Sequence, residues 1–227
     1  MWYNIGVNPV LKRTLTGLAV GAAVIVAILV APLAAIVPAV SCLVALAFLE
    51  FFLLLRTKWP NVLSLRRLVC VAAGFAVIAG GLFALAEIAL AHGNVMLLYV
   101  VAIVKFSDVG GFALGLASSR LMKGGNHKMC PSVSPGKSWE GLLGSVVFSC
   151  VVSCAFIPAT HFAVGKAIAF GVAAALVGTA GDLVESKFKR WVGVKDSSAL
   201  RITNGMGGVL DMLDSLVFAP AVLLPFL

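Results

Sequence analysis

The sequence predicts an all-α, polytopic integral membrane protein of about seven transmembrane helices. Three observations predict it: sparse charge, recurring apolar runs of bilayer length, and basic residues confined to alternate connections. Hydrophobic residues make up 61% of the chain and charged ones only 11%, with a mean hydropathy of +1.10. Ordinary soluble domains carry about 25% charged residues. A soluble core would have to hide nearly every element, which 227 residues cannot do, so lipid must cover much of the surface.

A helix needs about 20 residues at ~1.5 Å rise to cross the hydrocarbon. The runs that satisfy this lie near 14–31, 34–55, 68–91, 95–117, 141–161, 165–186 and 209–226. The first follows Lys12 and Arg13 and reads as a span rather than a cleaved signal, because further spans follow it. Ala31-Pro-Leu33, His92-Gly-Asn94 and Thr160 to Gly165 carry almost no charge. The alternate segments carry Lys12, Arg13, Arg56, Lys58, Arg66, Arg67, Arg120, Lys123, Lys128, Lys137, Lys187, Lys189, Arg190, Lys195 and Arg201, fifteen of the seventeen basic residues. The positive-inside rule then places the N-terminus and three long loops in the cytoplasm and the C-terminus outside. The formal charge of +8 is mostly a property of that face, where it serves orientation, anionic-lipid attraction or the binding of nucleotide phosphates.

No internal repeat, low-complexity tract or long hinge divides the chain, so one integral domain is expected over 1–227, with N-terminal helices over 1–94 and motif-bearing helices and loops over 95–227. Gly17 with Gly21 and Gly111 with Gly115 stand one helical turn apart and read as helix-packing positions. Four of the five cysteines lie in apolar segments and imply no disulfide framework. His92, His127 and His161 show no metal-ligand spacing.

Chemistry is indicated by the acids. Seven of nine, Asp108, Glu140, Asp182, Glu185, Asp196, Asp211 and Asp214, fall at the cytoplasmic border of the C-terminal half. An ionised group near mid-bilayer costs on the order of 3 kcal/mol, so such clustering implies a shared polar cavity, the plainer reading being interfacial decoration. Helical spacing puts Asp182 on one face with Glu185 and Ser186, and Asp211 with Asp214 and Ser215. If these faces oppose each other, their oxygens suit Mg²⁺ together with substrate phosphates, while Lys187, Lys189, Arg190 and Lys195 supply the cations that phosphoryl chemistry needs. Lys105 and Asp108 share a face and either neutralise each other or take part directly. Glu50 and Glu87 lie within spans and read as helix–helix hydrogen-bonding groups. The stretch from Lys123 to Lys137 is rich in Gly, Pro and Ser. Ser138 is placed to cap the helix that follows, and the exposed amides and hydroxyls before it are suited to phosphate. The Asn204-Gly-Met-Gly-Gly208 stretch invites the same readings, and neither matches a P-loop or dinucleotide pattern.

Four stretches together resemble the phosphatidate cytidylyltransferase (CDP-diacylglycerol synthase) family. They are Phe106-Ser-Asp-Val-Gly-Gly-Phe112, Ser132-Val-Ser-Pro-Gly-Lys-Ser-Trp-Glu-Gly141, Gly181-Asp-Leu-Val-Glu-Ser186, and the run from Ser186 through Lys195, Asp196 and Ser198 to Gly207-Gly-Val-Leu-Asp-Met-Leu-Asp-Ser215. The resemblance covers roughly residues 100–218. The chain departs from the family pattern at Thr203-Asn-Gly-Met-Gly-Gly208, where Pro-Gly-His-Gly-Gly is usual, and at Met212, where arginine is expected. The resemblance implies transfer of a cytidylyl group from CTP to phosphatidate, giving CDP-diacylglycerol and pyrophosphate. It implies Mg²⁺ held by Asp182, Asp211 and Asp214, catalytic roles for these with Lys195 and Asp196, and substrate contacts from Asp108, Ser132, Ser134, Lys137, Glu185, Ser186, Lys187, Lys189, Arg190, Gly207, Gly208 and Ser215. It also implies a homodimer in the bacterial cytoplasmic (inner) membrane, with its site facing the cytoplasm, membrane lipid as a partner and no nucleic acid. The alternatives are a CTP-dependent enzyme acting on an isoprenoid glycerolipid or polyprenol, a secondary transporter, and an inactive membrane scaffold.

Overall fold

This computed structural model describes residues 21–59, 64–194 and 208–227. Eight helices and one small hairpin occupy them. The described part of α1 is Gly21–Val30. It is followed by α2 (Leu33–Lys58), α3 (Leu65–His92), α4 (Asn94–Leu121), β1 (Lys128–Cys130), β2 (Ser134–Ser138), α5 (Trp139–Ala155), α6 (Ile157–Thr160), α7 (Val164–Val192) and α8 (Val209–Leu223), with a 3₁₀ turn at Leu224–Phe226.

Five of these, α2, α3, α4, α7 and α8 with its 3₁₀ turn, are long and apolar enough to cross a membrane among the described residues; α5 and the described part of α1 are shorter. Helices suit that role because every interior backbone N–H finds a carbonyl in its own segment. Large apolar side chains such as Val30, Leu65 and Phe112 stay exposed on the bundle surface, as lipid contact requires. The core is drawn from α2, α3, α4, α7 and α8 and includes Leu55, Leu82, Ile88, Val100, Ala174 and Leu216.

The helix expectations meet two adjustments. The run read as 141–161 breaks at Phe156 and resumes as α6, where Pro158 cannot donate to the preceding turn. α7 continues past the apolar run to Val192 and stops in a Schellman cap: Gly193 has φ 93°, its N–H donates to Arg190 O at 3.2 Å, and Val194 N–H donates to Lys189 O at 3.0 Å. The all-α expectation gains one addition, since residues read as loop form an antiparallel pair with Lys128 opposite Ser138 and Cys130 opposite Ser134. Ser138 caps α5 as expected, its hydroxyl accepting from Gly141 N–H at 3.1 Å.

α4 and α5 pack backbone to backbone. A Cβ on Gly144 would lie 2.3 Å from Gly110 O, and one on Gly110 would lie 2.4 Å from Gly144 O. Gly111 plays a similar part against Ser145 Oγ, at 2.5 Å, whereas a Cβ on Gly115 would make only ordinary contacts. Gly21 faces open space, which removes it as a packing position among the described residues, and Gly17 lies outside them. All five cysteines are free.

Candidate functional site

α7 and α8 build the centre of the site. On α7, Asp182, Glu185 and Lys189 follow one another on a single face; on α8, Asp211, Asp214 and Ser215 do the same. Gly181 lets the two helices approach here, since a Cβ on it would lie 2.6 Å from the Phe218 ring and 3.2 Å from Asp214 O. The three-residue spacings interlock, so that Asp182 lies in the field of Asp214 and Glu185 in the field of Asp211. The sequence spacing predicts two acidic faces, and the structure brings them together.

Cations stitch this cluster. Lys189 bridges the helices, bonding Asp211 and lying 3.3 Å from Glu185 Oε2. Lys137, carried in by β2, pairs with Asp182. From α4, Lys105 Nζ donates to Asp108 Oδ2 at 3.3 Å, Met212 O at 3.0 Å and Ser215 Oγ at 3.0 Å, while the Ser215 hydroxyl donates to Asp108 Oδ2 at 3.0 Å. Lys105 and Asp108 thus pair with each other, as one reading of their spacing expects, and are also tied to α8 through Met212 O and Ser215. Asp182 and Glu185 are both largely enclosed, and Asp182 Oδ1 and Glu185 Oε1 have no hydrogen-bond partner among the described residues.

Two supports fix α8. Gly208 N–H donates to Asp211 Oδ2 at 2.8 Å, and Leu210 N–H donates to Glu50 Oε2 at 2.8 Å. First-turn amides have no partner within their own helix, and a carboxylate there also meets the positive end of the helix dipole. Glu50 is 1% exposed. It makes the helix–helix bond expected of it, to a partner 160 positions away that sequence could not show. Glu87 is instead exposed on α3.

The hairpin lies over the α7 end of the site. Besides Lys137–Asp182, Arg190 Nε donates to Val133 O at 3.3 Å. At its base Glu140 accepts from His127 Nδ1 at 2.6 Å and from His127 N–H at 3.1 Å. The His127 ring bond, then the backbone amides of Glu140 and His127, hold the Glu140 carboxyl down at about 2. Ser132 sits exposed in the turn and Ser134 half-buried on β2; Ser186 is half-buried and Lys187 exposed on α7. Lys195, Asp196 and Gly207 lie outside the described residues.

The donor set suits a divalent cation in chemistry. Five carboxylates face three lysines, two buried carboxylate oxygens await a partner, and carboxylate oxygen is the ligand Mg²⁺ prefers. Among the described residues, however, no group of three or more acid, His or Cys side chains is placed to hold a metal ion. Asp182 and Asp211 are each held by a lysine instead.

An apolar bundle with a lysine-stitched acid cluster at one end can hold polyphosphate against membrane. A stretch is 43% identical over 137 residues to a phosphatidate cytidylyltransferase of Haemophilus influenzae, covering 56% of this chain and 44% of that protein. Proteins of the same name match from Mycobacterium bovis, at 44% over 115 residues (49% of this chain, 34% of that protein), and from Staphylococcus aureus, at 41% over 124 residues (54% and 45%). The aligned stretches thus span less than half the length of these relatives. Residues 60–227 as a whole match the cytidylyltransferase family, and with the α7–α8 acid cluster falling inside that match, the chain belongs to it.

Proposed function

We propose that the protein transfers a cytidylyl group from CTP to phosphatidate, releasing pyrophosphate and leaving CDP-diacylglycerol in the membrane. The observation that carries this reading is the interlocking of Asp182 and Glu185 with Asp211 and Asp214, stitched by Lys137 and Lys189, on helices otherwise apolar. The names of the relatives support the same substrate pair.

In the proposed reaction a phosphatidate oxygen forms a bond to the α-phosphorus of CTP. The bond from that phosphorus to the bridging oxygen breaks, and pyrophosphate leaves with the electron pair. The nucleophile is already ionised, so the site needs no strong general base, and positioning dominates. Lys137, Lys189 and Lys105 hold the phosphates and stabilise charge moving onto the leaving group. Ser215 and Asp108, hydrogen-bonded to each other, orient Lys105 together. The hairpin with Lys137 excludes water over the nucleotide, and Arg190 holds the hairpin by Val133 O. Mg²⁺, when bound, supplies further charge neutralisation, with Asp182, Asp211 and Asp214 as the residues that would hold it.

We further assign one integral domain of seven spans, adding α1 and α5 to the five long helices, and a homodimer in the cytoplasmic membrane. Basic residues in alternate connections support a cytoplasmic N-terminus, a site facing the cytoplasm and an external C-terminus. The test is purified protein with CTP, Mg²⁺ and phosphatidate, scored for nucleotide-linked lipid and pyrophosphate, with polyprenyl phosphate and unphosphorylated diacylglycerol as competing acceptors. Asp214→Asn should lower turnover at least about 100-fold, the scale on which a transition-state electrostatic group acts. Activity that survives it removes the metal assignment, and product from another acceptor alone removes phosphatidate.

A further inference from the structure

A crevice of about 440 Å³ lies between α2, α3, α7 and α8, within the range of about 300–1,000 Å³ typical of small-molecule sites. Its walls are apolar except at Glu185 and Asp214, both acids of the site described above. Beyond the crevice α3 and α8 are in contact, for a Cβ on Gly81 would lie 1.7 Å from Val217 O. The space therefore follows the earlier part of α3, on the side where α8 begins. There the Phe51 ring rests on Gly74, whose added Cβ would meet Phe51 Cζ at 2.1 Å, and Phe51 stacks on Phe188 with centroids 5.0 Å apart.

The mouth carries a different chemistry. Trp191 and Trp59 meet edge to face at 5.0 Å, Lys58 Nζ lies 4.0 Å over the Trp191 ring, and Arg67 lies 5.5 Å from the Trp59 ring. Tryptophans paired with basic residues mark the level of lipid headgroups. An apolar space does not hold water, and one that opens to bilayer fills with hydrocarbon. Cations at the mouth, an apolar wall and acids with lysines at the inner end complement an anionic headgroup on an acyl chain.

We infer that this crevice seats one acyl chain of the lipid acceptor, and that Gly74 and Phe51 determine the length of chain it accepts. The inference rests on the phosphatidate reading and deepens it. The missing side chain at Gly74 makes room for the Phe51 ring, which Phe188 stacks against, so a side chain there would drive that ring into the crevice. Adding a side chain at Gly74 shortens the space, and truncating Phe51 lengthens it.

The experiment uses full-length protein in nanodiscs. The ratio of kcat/KM for dioleoyl to dihexanoyl phosphatidate should fall about tenfold in Gly74→Leu and rise in Phe51→Ala, since a mismatch of a methylene or more in an apolar pocket changes selectivity on this scale. The opposite signs separate chain fit from general damage, and Phe51→Ala decides alone if Gly74→Leu does not fold. In parallel, a phosphatidate bearing a photoreactive group in one acyl chain should label the segment from Cys70 to Ile78. Unchanged ratios in the folded variants, or labelling only elsewhere, including on a helix of a second copy occupying the crevice, overturn the inference. Labelling without turnover of any phosphatidate keeps the lipid site and removes the proposed reaction, whereas turnover without labelling or chain-length effects does the reverse.

Discussion

Removing the Glu50 carboxylate should destabilise the start of α8 and, through it, the acid cluster. Glu50 is buried in α2 and accepts the Leu210 N–H at 2.8 Å, one residue before Asp211. In Glu50→Ala that amide, on a residue 6% exposed, loses its acceptor where water cannot replace it. An unsatisfied buried donor costs about 1–3 kcal/mol. Hydrogen bonds between membrane helices average only about 0.6 kcal/mol because the unfolded helices find other partners. A carboxylate on a first-turn amide lies above that average, since the interaction with the helix dipole adds about 0.3–1 kcal/mol. A loss of about 2–3 kcal/mol corresponds to a Tm lower by roughly 4–12 °C for a chain of this size. Thermal unfolding in one detergent, followed by tryptophan fluorescence, reads the shift. Glu50→Gln keeps an oxygen acceptor and should recover at least half of it. A Glu50→Ala protein melting within about 1 °C of wild type refutes the reasoning, because an effect below about 0.5 kcal/mol is that of an unconstrained surface position.

Three further outcomes follow from the contacts. Lys189→Met leaves Glu185 and Asp211 without their shared cation, and breaking a buried pair costs about 3–5 kcal/mol, so thermal stability and CTP turnover should fall together, with Lys189→Arg recovering more stability than turnover. Gly144→Leu forces α4 from α5 and should destabilise by at least about 1–3 kcal/mol without altering nucleotide selectivity, measured by thermal unfolding and by competition between CTP and other triphosphates. Glu140, held at about 2 against its ordinary 4.5, binds its proton more weakly in the folded protein than in the unfolded one. Its contribution is therefore full above about pH 4.5 and is lost as pH falls toward 2, so the protection of β1 amides, taken relative to their intrinsic exchange rate at each pH, should fall across that window in wild type and not in Glu140→Gln.

Apolar length alone located the five long helices, because a bilayer demands about 20 residues whatever their identity. The ends were less legible. α7 runs six residues past its hydropathic limit, through Lys187, Lys189 and Arg190, since helical hydrogen bonding continues into the headgroup region and only Gly193 stops it. Pro158 is visible in the sequence, but a run of bilayer length conceals that the chain breaks and restarts there. The hairpin was hidden by Pro135 and Gly136, residues that ordinarily argue against a strand; this pair of strands is short and lies at the surface, where a missing N–H is tolerated. Glu50 and Lys105 were visible as charges in spans, but their roles depend on partners more than 100 positions away that no local period encodes.

The helical period supplied the faces of the site, and the antiparallel packing of α7 against α8 supplied the pairings. With both acids of each helix three residues apart, reversing one helix matches Asp182 to Asp214 and Glu185 to Asp211 at once; a shift by one residue would turn an acid out of the interface. That constraint makes the start of α8 decisive, because sliding it would break both pairings together. Glu50 and the Asp211 bond to Gly208 N–H fix that start from two directions. The lysines then have a function before any substrate arrives: Lys137 and Lys189 hold Asp182 and Asp211 against mutual repulsion in an enclosed place. On the proposed reading, a nucleotide polyphosphate takes over those lysines and leaves the acids to a cation, so that metal and nucleotide should bind cooperatively. Titrating Mg²⁺ with and without a non-hydrolysable CTP analogue tests this, and equal Mg²⁺ affinity in both titrations would exclude such an exchange.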